Sequence, residues 1–539
     1  MTAAPESHDA LKSEFLRDLA WRNQLAQVTD LAALDQHLST GNPKDRKAYV
    51  GFDPTADSLT IGNLVGIMTL ARFHKAGHTP VAIMGGGTGL IGDPSGKTAE
   101  RQLRTKEEIA HNVDNIRTIF DRVWATIGIP GNAKPTLINN IDWLGKISYL
   151  DALRDIGKHF SVNMMMQKDS VKERLHNRDQ GISYTEFSYM ILQAYDFARL
   201  YEDEGVSLQM GGSDQYGNIV VGTDLIGRFG YELLADISVE LHRIESLDSN
   251  CPEYKERLEK VRALKKKYDT AGGRVLPTDE EAKQLVQSQS DIAKPNNISD
   301  EVWKALKNMG PMFVQARGNW KSFGLTWPLV TKSDGTKFGK TESGAIWLTA
   351  KRDASDTSPS RTSAYAYYQF WLNAADADVL RFIKTYTFVD RTTFAEIEHS
   401  LKTNPSERYA QRYLAREATR ILHGTSKMGQ AESAAKALFS GEIAHLAHDL
   451  LDEVFASVPT STHAKAILEG EGQPILDMLV TTQLAASKRE AKEFLTAGSV
   501  TINGRKANPD DRLKTTDLLH GKTIALRRGK KNWHVTRWQ

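Results

Sequence analysis

The stretch AYVGFDPTADSLTIGNL, residues 48–64, decides the fold, because it joins a buried strand to a helix through a tight turn. Residues 48–52 are apolar, as in a short buried strand, and the Asp-Pro pair that follows ends the strand. A helical pattern runs from about residue 64 to residue 75, and PVAIM, residues 80–84, repeats the strand pattern. This order predicts a βαβ unit of a parallel sheet, in which ligands bind at the carboxyl ends of the strands.

Further segments extend the α/β pattern. TEFSYMILQAYDFARLY, residues 185–201, predicts a long helix, and QMGGSDQYGNIVVGTDLIGR, residues 209–228, predicts a strand, a glycine turn and a second helix. The run KERLEKVRALKKK and the polar stretch after it predict a charged helical insertion. We predict an α/β fold with these parts: a Rossmann-like parallel-sheet domain at 1–228, an insertion at 229–322, the rest of the sheet domain at 323–360, a helical domain at 361–450, a linker with some structure at 451–473 and a small α+β domain at 474–539.

Composition limits the classes of function. The chain has 539 residues, of which 40% are hydrophobic and 25% charged, as expected for a soluble protein with several domains. The start of the sequence mixes both charges, and no apolar run is long enough to cross a bilayer, so we expect neither a signal peptide nor a membrane span. The single cysteine, Cys251, fits a reducing compartment, and we expect a cytoplasmic protein.

The net charge of +2 is unevenly distributed. Residues 474–539 carry 13 Lys and Arg against 6 Asp and Glu, which leaves −5 for the rest of the chain. A basic domain is the electrostatic footprint of a nucleic-acid contact, although a basic tail can also be only a soluble surface. Within it, SVTINGRKA predicts a hairpin that turns at Asn503-Gly504 beside the helix SKREAKEFLTA.

The glycine-rich segment MGGGTGLIGDPSGKT, residues 84–98, superficially resembles a P-loop. A P-loop needs four residues between its glycines, whereas Gly92 and Gly96 enclose three. The glycines still let the backbone approach a ligand closely, and Asp93, Lys97 and Arg101 add charges beside it. Taken alone, the segment fits a glycine-rich turn with solvated charges equally well.

Three polar residues share one face of the helix from residue 185. Tyr189, Gln193 and Asp196 are spaced at i, i+4 and i+7, where a face that only meets the core would be apolar. The stripe is about 10 Å long at ~1.5 Å per residue, roughly the length of one amino acid. A buried structural hydrogen-bond network is the competing interpretation.

The loop TKSDGTKFGKTESG, residues 331–344, carries Lys337 and Lys340 between glycines. Lysines on a glycine-jointed loop can close over a phosphate chain and neutralise it. A solvated lysine turn is the more common explanation of such a loop taken by itself.

In the order of the chain, five segments resemble motifs of the bacterial-type tyrosyl-tRNA synthetases, a class I aminoacyl-tRNA synthetase family. These segments are YVGFDPTADSLTIGN, GGGTGLIGDPSGK, YTEFSYMILQAYDF, GGSDQYGN and KFGKT. The similarity covers roughly residues 14–228 and 323–430, and the tail from residue 474 resembles a small RNA-binding module shared with a ribosomal protein. We identify no counterpart of the insertion.

The resemblance implies a site for tyrosine beside a site for ATP. The residues that would bind tyrosine are Tyr49 and Asp196 at the phenolic hydroxyl, Asp93, Tyr189 and Gln193 at the ammonium group, and Gln209 and Gln215 along the pocket. The residues on the ATP side are Gly51, Asp53, Gly62, Lys340 and, at the ribose, Asp214. The catalytic residues would hold the departing pyrophosphate or lie beside it. They are Thr55, Thr60, Asn63, Lys97, Arg101, Lys337, Lys340 and Thr341.

The family usually has two histidines where this chain has Thr60 and Asn63, and often a cysteine where it has Val50. Thr60 and Asn63 are short polar side chains at a helix start, and both can donate hydrogen bonds. A lost charge-assisted hydrogen bond costs roughly 1.5–3 kcal/mol, against the ~8–23 kcal/mol that enzymes typically supply, so catalysis remains possible.

The implied reaction needs no protein nucleophile and no protein metal site. The tyrosine carboxylate would attack the α-phosphate of ATP, which arrives with Mg²⁺ as a substrate complex, and no tightly bound cofactor is expected. The tyrosyl group would then pass to the 3′ end of tRNA(Tyr), with the helical domain on the anticodon side and Lys488, Arg489 and Lys492 against the RNA backbone. The resemblance also implies a homodimer.

Three other functions fit parts of the sequence. A tryptophan-specific relative would not need Asp196 and Tyr49, because an indole has no hydroxyl. An RNA-binding protein that keeps the fold without aminoacylation would explain Thr60 and the insertion, but KFGKT, Asp93 and Asp196 count against it. A nucleotidyltransferase of the same superfamily would need neither the tyrosine-shaped helix nor the basic tail.

Overall fold

The computed structural model describes most of the chain outside the insertion. The described residues are 10–93, 104–127, 135–168, 171–172, 182–245, 251–253, 255–260, 263, 321–333, 338–341, 344–351, 356, 358–456, 458–529 and 532–539. They form two compact units: Met1–Phe120 with Ile129–Phe338, and Asp121–Gly128 with Gly339–Gln539.

A six-stranded sheet organises the first unit, in the order β1-β6-β5-β2-β3-β4. Its strands are β1 Gln27–Val28, β2 Lys47–Phe52, β3 Thr79–Met84, β4 Thr136–Asn139, β5 Val206–Gly212 and β6 Phe323–Trp327. Every neighbouring pair is parallel except β1 and β6. The five parallel strands therefore end at one edge, which is where a doubly wound sheet binds its ligands.

Ten α-helices have described bounds between residues 14 and 245. They are α1 Glu14–Trp21, α2 Leu31–Ser39, α3 Ile61–Lys75, α4 Thr88–Ile91, α5 Lys106–Ile127, α6 Ile141–Leu144, α7 Tyr149–Asp151, α8 Val162–Met166, α9 Tyr184–Glu204 and α10 Tyr216–Glu245. The predicted strands at 48–52 and 80–84 and the helix between them are confirmed as β2, β3 and α3. A glycine at 66 lets α3 pack on β2, since a Cβ there would lie 3.1 Å from Val50 Cγ1.

Helix α9 has clear start and stop signals. Ser183 caps it by accepting a hydrogen bond from the N–H of Glu186, and Gly205 ends it in the left-handed conformation with φ 69°. Between these ends the apolar side of α9 packs into the core with Phe197, Ala198 and Leu200. This packing fixes the polar face of the helix toward the ends of the parallel strands.

The insertion was predicted to start at residue 229, but α10 continues without a break to Glu245. The helical periodicity of FGYELLADISVELHRIE carries through the position where the charge pattern changes. The predicted boundary at residue 228 thus falls inside a helix, and most of 246–320 lies outside the described residues.

The second unit contains helices followed by a small α+β module. The helices are α11 Ala364–Leu372, α12 Asp376–Tyr386, α13 Arg391–Thr403, α14 Tyr409–Ser440, α15 His448–Val454, α16 Ile475–Thr481 and α17 Lys488–Thr496. Helix α14 is kinked at Gly424, whose φ of 81° and ψ of 167° are not helical. The helical pattern expected for residues 361–450 is present.

Two short sheets and one five-stranded sheet complete this unit. The strands are β7 Lys340–Thr341, β8 Gly344–Ala345, β9 Thr460–His463, β10 Gln473–Pro474, β11 Val500–Ile502, β12 Arg505–Lys506, β13 Arg512–Leu513, β14 Thr523–Arg528 and β15 Asn532–Trp538. The five-stranded sheet has the order β12-β11-β14-β15-β9, and β11 and β12 form the hairpin at Asn503-Gly504. Strand β9 comes from the segment predicted to be a linker and pairs in parallel with β15, so the folded module starts upstream of Pro474.

Among the described residues, no helix combines the length and apolar character that crossing a membrane requires.

Candidate active site at the strand ends

Polar residues follow three of the parallel strands at their shared edge, and a glycine turn follows a fourth. Asp53 follows β2, the Gly85-Gly86-Gly87 turn follows β3, Asn140 follows β4, and Asp214 comes two residues after β5. Glycine is required at Gly85, because a Cβ there would lie 2.3 Å from Asp53 Oδ1. The turns after the strands are therefore packed directly against the polar groups of the site.

Asp196 is the most deeply buried carboxylate of this edge, with 4% of its surface exposed. Its Oδ2 accepts a hydrogen bond of 2.8 Å from Asn140 Nδ2, and its Oδ1 accepts one of 2.7 Å from Trp143 Nε1. Burial raises the pKa of Asp196 to about 7, while the two hydrogen bonds partly offset that rise. The carboxylate is thus held in a fixed orientation, and it changes its protonation state at a pH near 7.

Tyr49, in the middle of β2, is buried near this carboxylate. Burial, and secondarily the charge of Asp196, raises the pKa of Tyr49 well above its ordinary value. The Tyr49 hydroxyl is buried and makes no hydrogen bond within the described part of the chain, and the same is true of Gln209 Oε1. Gln209 lies directly opposite Tyr49 in the β2–β5 pairing. Because an unpaired buried polar atom costs roughly 1–3 kcal/mol, these two atoms point to a polar ligand.

A continuous hydrogen-bond chain links Tyr189 to Asp196. The Tyr189 hydroxyl donates to Asp53 Oδ2 at 3.0 Å, and Thr88 Oγ1 donates to Asp53 Oδ1 at 3.0 Å. Asn140 Nδ2 donates to Thr88 Oγ1 at 3.0 Å and also to Asp196. The chain joins the ends of β2, β3 and β4 to helix α9, so that the site is organised in advance.

A second polar group surrounds Asp93. Gln215 Nε2 donates to Asp93 Oδ2 at 2.7 Å, and Asn218 Nδ2 donates to Gln193 Oε1 at 3.1 Å. Burial and the charge of Asp93 raise the pKa of Asp214, so these two carboxylates lie near each other. Two neighbouring carboxylates favour a ligand that brings a positive charge.

Thr60 and Asn63 bind each other at the start of α3. Both the backbone N–H and the hydroxyl of Thr60 donate to Asn63 Oδ1, at 3.0 and 2.9 Å. The sequence had suggested two parallel donors to a ligand, whereas the Thr60 hydroxyl is already used within the helix cap. Nearby, Thr55, Gly51 and Gly62 are exposed, and no atom lies within 4 Å of the place of a Gly51 Cβ.

Several predicted site residues receive no structural account. Lys97, Arg101 and Lys337 lie outside the described residues. The backbone of Lys340 and Thr341 forms β7, which pairs antiparallel with β8 in the second unit. Their predicted contacts with the pyrophosphate stay predictions.

The predicted RNA contacts lie on the exposed face of α17. Lys488 Nζ is 2.5 Å from Asp477 Oδ1, and Arg489 Nε is 3.3 Å from Glu493 Oε1. Lys492 is also exposed. Since exposed ion pairs contribute only about 0–1 kcal/mol, these bases can exchange their acidic partners for phosphates at little cost.

The sequence did not reveal Asn140, Trp143, Thr88 and Asn218 as members of the site. The pair Asn139-Asn140 after the short strand β4 was an available signal, because polar residues at a strand end are candidates for ligand contacts. Within the described part of the chain, no group of three or more His, Cys, Asp or Glu residues could hold a metal ion.

Comparison with known families gives the class of protein. Residues 42–248 and 307–440 match the family model described as tRNA synthetases class I (W and Y). Residues 451–536 match the model of the tyrosine–tRNA ligase SYY-like C-terminal domain. The fold is thus that of a class I aminoacyl-tRNA synthetase.

Curated relatives narrow the family. A tyrosine–tRNA ligase of Dechloromonas aromatica is 40% identical over 98% of this chain and 100% of its own length. One of Roseiflexus castenholzii is 38% identical over 97% of this chain and 99% of its own length. A solved structure of a C-terminally truncated mitochondrial tyrosyl-tRNA synthetase from Coccidioides posadasii is 26% identical, with a TM-score of 0.51 over 78% of this chain and 91% of that one. The chain belongs to the tyrosyl-tRNA synthetase family, which confirms the resemblance drawn from the motifs.

Proposed function

We propose that the chain attaches L-tyrosine to tRNA(Tyr) at the expense of ATP, through a tyrosyl-adenylate. The observation that carries this proposal is the buried pair of Tyr49 and Asp196. A phenolic hydroxyl placed between them would donate to the Asp196 carboxylate and accept from the Tyr49 hydroxyl, which has no partner in the described chain. A phenyl ring would leave the Tyr49 hydroxyl unpaired, and an indole, whose only polar group is a donor, could not accept from it, so tyrosine is favoured over tryptophan and phenylalanine.

The second polar group fits the other end of the amino acid. The carboxylate of Asp93, the hydroxyl of Tyr189 and the amide oxygen of Gln193 would receive the ammonium group of tyrosine. Gln215 already holds Asp93 through a hydrogen bond, so the acceptor is oriented before the ligand arrives. Gln209 lines the pocket between the two ends.

The adenylate forms when a carboxylate oxygen of tyrosine bonds to the α-phosphorus of ATP and the bond to the β-phosphate oxygen breaks. Asp214 would bind the ribose, and Gly51, Asp53 and Gly62 would border the nucleotide. The negative charge of the departing pyrophosphate would be met by the positive end of α3 and by polar and basic side chains. These side chains are Thr55, Thr60, Asn63, Lys97, Arg101, Lys337, Lys340 and Thr341. Mg²⁺ would enter as part of the ATP substrate, held chiefly by the phosphates.

The tyrosyl group then passes to the 3′ end of the tRNA. We assign the helices of 361–450 to the anticodon side and the exposed bases Lys488, Arg489 and Lys492 to the RNA backbone. The reaction is proposed for the cytoplasm, where a chain whose one cysteine is Cys251 would stay reduced. We propose catalysis for residues 1–228 and 323–360, and RNA binding for residues 474–539 together with β9.

The test is tyrosine-dependent exchange of labelled pyrophosphate into ATP by the purified chain, with phenylalanine and tryptophan in parallel. Exchange with tyrosine alone supports the proposal. Exchange with tryptophan alone would point to the relative with the other specificity. A folded protein that binds tRNA without any exchange would identify an RNA-binding protein that has lost the adenylation step.

The pH dependence of this exchange is expected to follow Asp196. Because the pKa of Asp196 is raised to about 7, the acceptor carboxylate becomes protonated below that pH. We expect kcat/KM for tyrosine to fall by up to about tenfold per pH unit on the acid side of neutrality. A carboxyl group whose pKa is raised by folding stabilises the folded state at low pH, and this contribution is lost as the pH rises from about 4 to 7. Protonation of Asp196 at acid pH therefore does not destabilise the fold, and the expected loss of activity there would not be caused by unfolding through this group. A profile that is flat between pH 5.5 and 8 would contradict the assignment.

We also propose that two copies associate through an exposed apolar surface on the first unit. This surface comprises Tyr149, Leu150, Leu153, Val162, Met166 and Tyr184, with Leu150 76% exposed. A hydrogen bond with Tyr149 raises the pKa of Tyr184, so these two exposed side chains are in contact. Large exposed apolar side chains that lie together are typical of a protein interface.

Replacing Leu150 by aspartate is expected to shift the chain from dimer to monomer in analytical ultracentrifugation, because a charge would be buried unpaired in the interface. The matched control is Ile467→Asp, at an exposed apolar residue of the second unit, which should leave the assembly unchanged. A wild-type monomer, or a dimeric Leu150→Asp variant, would refute this interface.

A further inference from the structure

Three cations converge on one carboxylate near the end of α10. Glu240 Oε1 accepts hydrogen bonds from Arg243 Nη1 at 3.2 Å and from Lys260 Nζ at 2.8 Å, and Glu240 Oε2 accepts one from Arg257 Nη1 at 3.1 Å. The bond from Lys260, and then the one from Arg257, hold the pKa of Glu240 below its ordinary value. Glu240 is only 4% exposed, whereas the side chains of Arg243 and Lys260 are 55% and 60% exposed. The carboxylate is thus the buried centre of the cluster.

Two of the three cations belong to a second helix, which we call the return helix: residues 252–253 and 255–260. Arg257 and Lys260 meet Glu240 from 17 and 20 positions further along the sequence, so the chain reverses its direction after α10. Arg257 Nη2 also pairs with Glu253 Oε1 at 2.9 Å within the return helix. The family model matches the chain up to residue 248 and resumes at residue 307, so family membership assigns no role to the return helix.

The return helix covers part of the hydrophobic core behind the candidate site. Leu258 on this helix and Cys251 just before it are half-buried and pack against a cluster that contains Phe197 and Tyr49. The ring centroids of Phe197 and Tyr49 are 5.4 Å apart. Helix α10 also contacts this cluster closely, since a Cβ at Gly222 would lie 3.0 Å from Phe197 Cδ1. Because protein cores are close-packed, a displacement of these helices would be transmitted toward Tyr49.

We infer that Glu240 docks the return helix onto α10 and, through this docking, is a positioning residue for the pocket that binds tyrosine. The second part rests on the proposed function, whereas the docking can be measured without a substrate. Without the carboxylate, the three cations would face one another, and their repulsion would loosen the return helix. Leu258 would then pack less firmly on the cluster that supports Tyr49.

Surface decoration is the competing explanation, because exposed ion pairs usually contribute little to stability. The first test is Glu240→Gln, which keeps the size of the side chain and removes its charge. We expect amide hydrogen exchange at residues 252–260 of the full chain to become about tenfold faster or more, while β14 and β15 of the second unit keep their wild-type protection. Added salt should speed this exchange in the wild type and have little effect in the variant, because the Debye length falls to about 3 Å at 1 M salt.

Pyrophosphate exchange tests the positioning role. We expect Glu240→Gln to raise KM for tyrosine by about 3–10-fold and to change kcat by less than about twofold, because a loosened pocket wall must be ordered again when tyrosine binds. Leu258→Ala leaves every charge of the cluster in place and removes the apolar contact. It should raise KM for tyrosine in the same way.

Charge reversal and a matched control identify the cause. Glu240→Lys should act like Glu240→Gln, and adding Arg257→Glu and Lys260→Glu should bring both measurements back toward the wild-type values, because the attraction returns with opposite signs. Asp224→Asn is the control, since Asp224 Oδ2 pairs with Arg228 Nε at 3.0 Å on the same helix, where both side chains are about half exposed. This control should leave hydrogen exchange and KM unchanged.

The outcomes separate the docking, the positioning role and the proposed function. Wild-type protection of residues 252–260 in Glu240→Gln would overturn the docking. Faster hydrogen exchange with an unchanged KM for tyrosine, or an equal rise of KM in Asp224→Asn, would overturn the positioning role. If the wild-type chain shows no pyrophosphate exchange with tyrosine, the proposed function fails, and the hydrogen-exchange comparison still decides the docking.

Discussion

Replacing Asp196 by asparagine is expected to lower kcat/KM for tyrosine by about 100-fold or more. The carboxylate of Asp196 accepts from both Asn140 and Trp143, and it also faces the hydroxyl of Tyr49. An asparagine would turn one of its own N–H donors toward a group that also donates, which leaves a buried donor unpaired. That arrangement costs roughly 1–3 kcal/mol, and the charge-assisted bond to the phenol is lost as well; together ~3 kcal/mol corresponds to about 100-fold.

The measurement is steady-state pyrophosphate exchange with tyrosine and with phenylalanine. Phenylalanine has no hydroxyl to lose, so its low rate should change little and the ratio between the two substrates should shrink. Asp203→Asn is the control, because Asp203 is an exposed acid on the same helix whose partner is Arg199. Wild-type selectivity in a folded Asp196→Asn variant would show that the phenol binds elsewhere.

The parts of the fold that the sequence predicts are those set by local patterns. Strands β2 and β3 are apolar runs that end in turn residues, and α3 begins at a polar cap, so each could be located from a few neighbouring residues. The end of α10 was placed too early because a change in charge was taken as a change in structure. Strand β9 lies in the segment predicted to be a linker with some structure; its sequence, TSTH, is polar, and pairing with β15 makes it a strand.

The site divides in the same way. The face formed by Tyr189, Gln193 and Asp196 follows from helical spacing alone. The partners of Asp196 do not, since Asn140 is 56 residues away in sequence and Trp143 is 53. Such contacts depend on the order of strands in the sheet, for which no local pattern exists.

The second large effect concerns how the C-terminal module is held on the helices of its own unit. The hairpin turn at Gly504 packs so closely on the end of α14 that a Cβ there would lie 1.8 Å from the carbonyl oxygen of Gly441. Two side chains of the module reinforce this contact: His520 Nε2 donates to the carbonyl oxygen of Leu446 at 2.8 Å, and Arg537 pairs with Asp452 at 3.0 Å. The basic module is therefore in a fixed position before RNA binds.

We expect Gly504→Ala to force this junction apart and to lower kcat/KM for tRNA charging by about tenfold or more, with pyrophosphate exchange unchanged. A methyl group cannot be accommodated against a backbone oxygen without displacement of one segment, and an RNA that must contact both parts would then have to restore their positions. Faster amide hydrogen exchange at residues 441–446 should accompany the loss.

The control variant separates the steric effect from backbone strain. Gly521 also has a positive φ, 72°, but no atom lies within 4 Å of the place of its Cβ. Gly521→Ala therefore carries a similar cost of roughly 1 kcal/mol for a left-handed alanine without a collision. If both variants lower tRNA charging equally, the cause is strain within the module and the fixed junction is not needed. If only Gly504→Ala does so, while adenylation proceeds at the wild-type rate, the position of the module on the helices is what tRNA recognition requires.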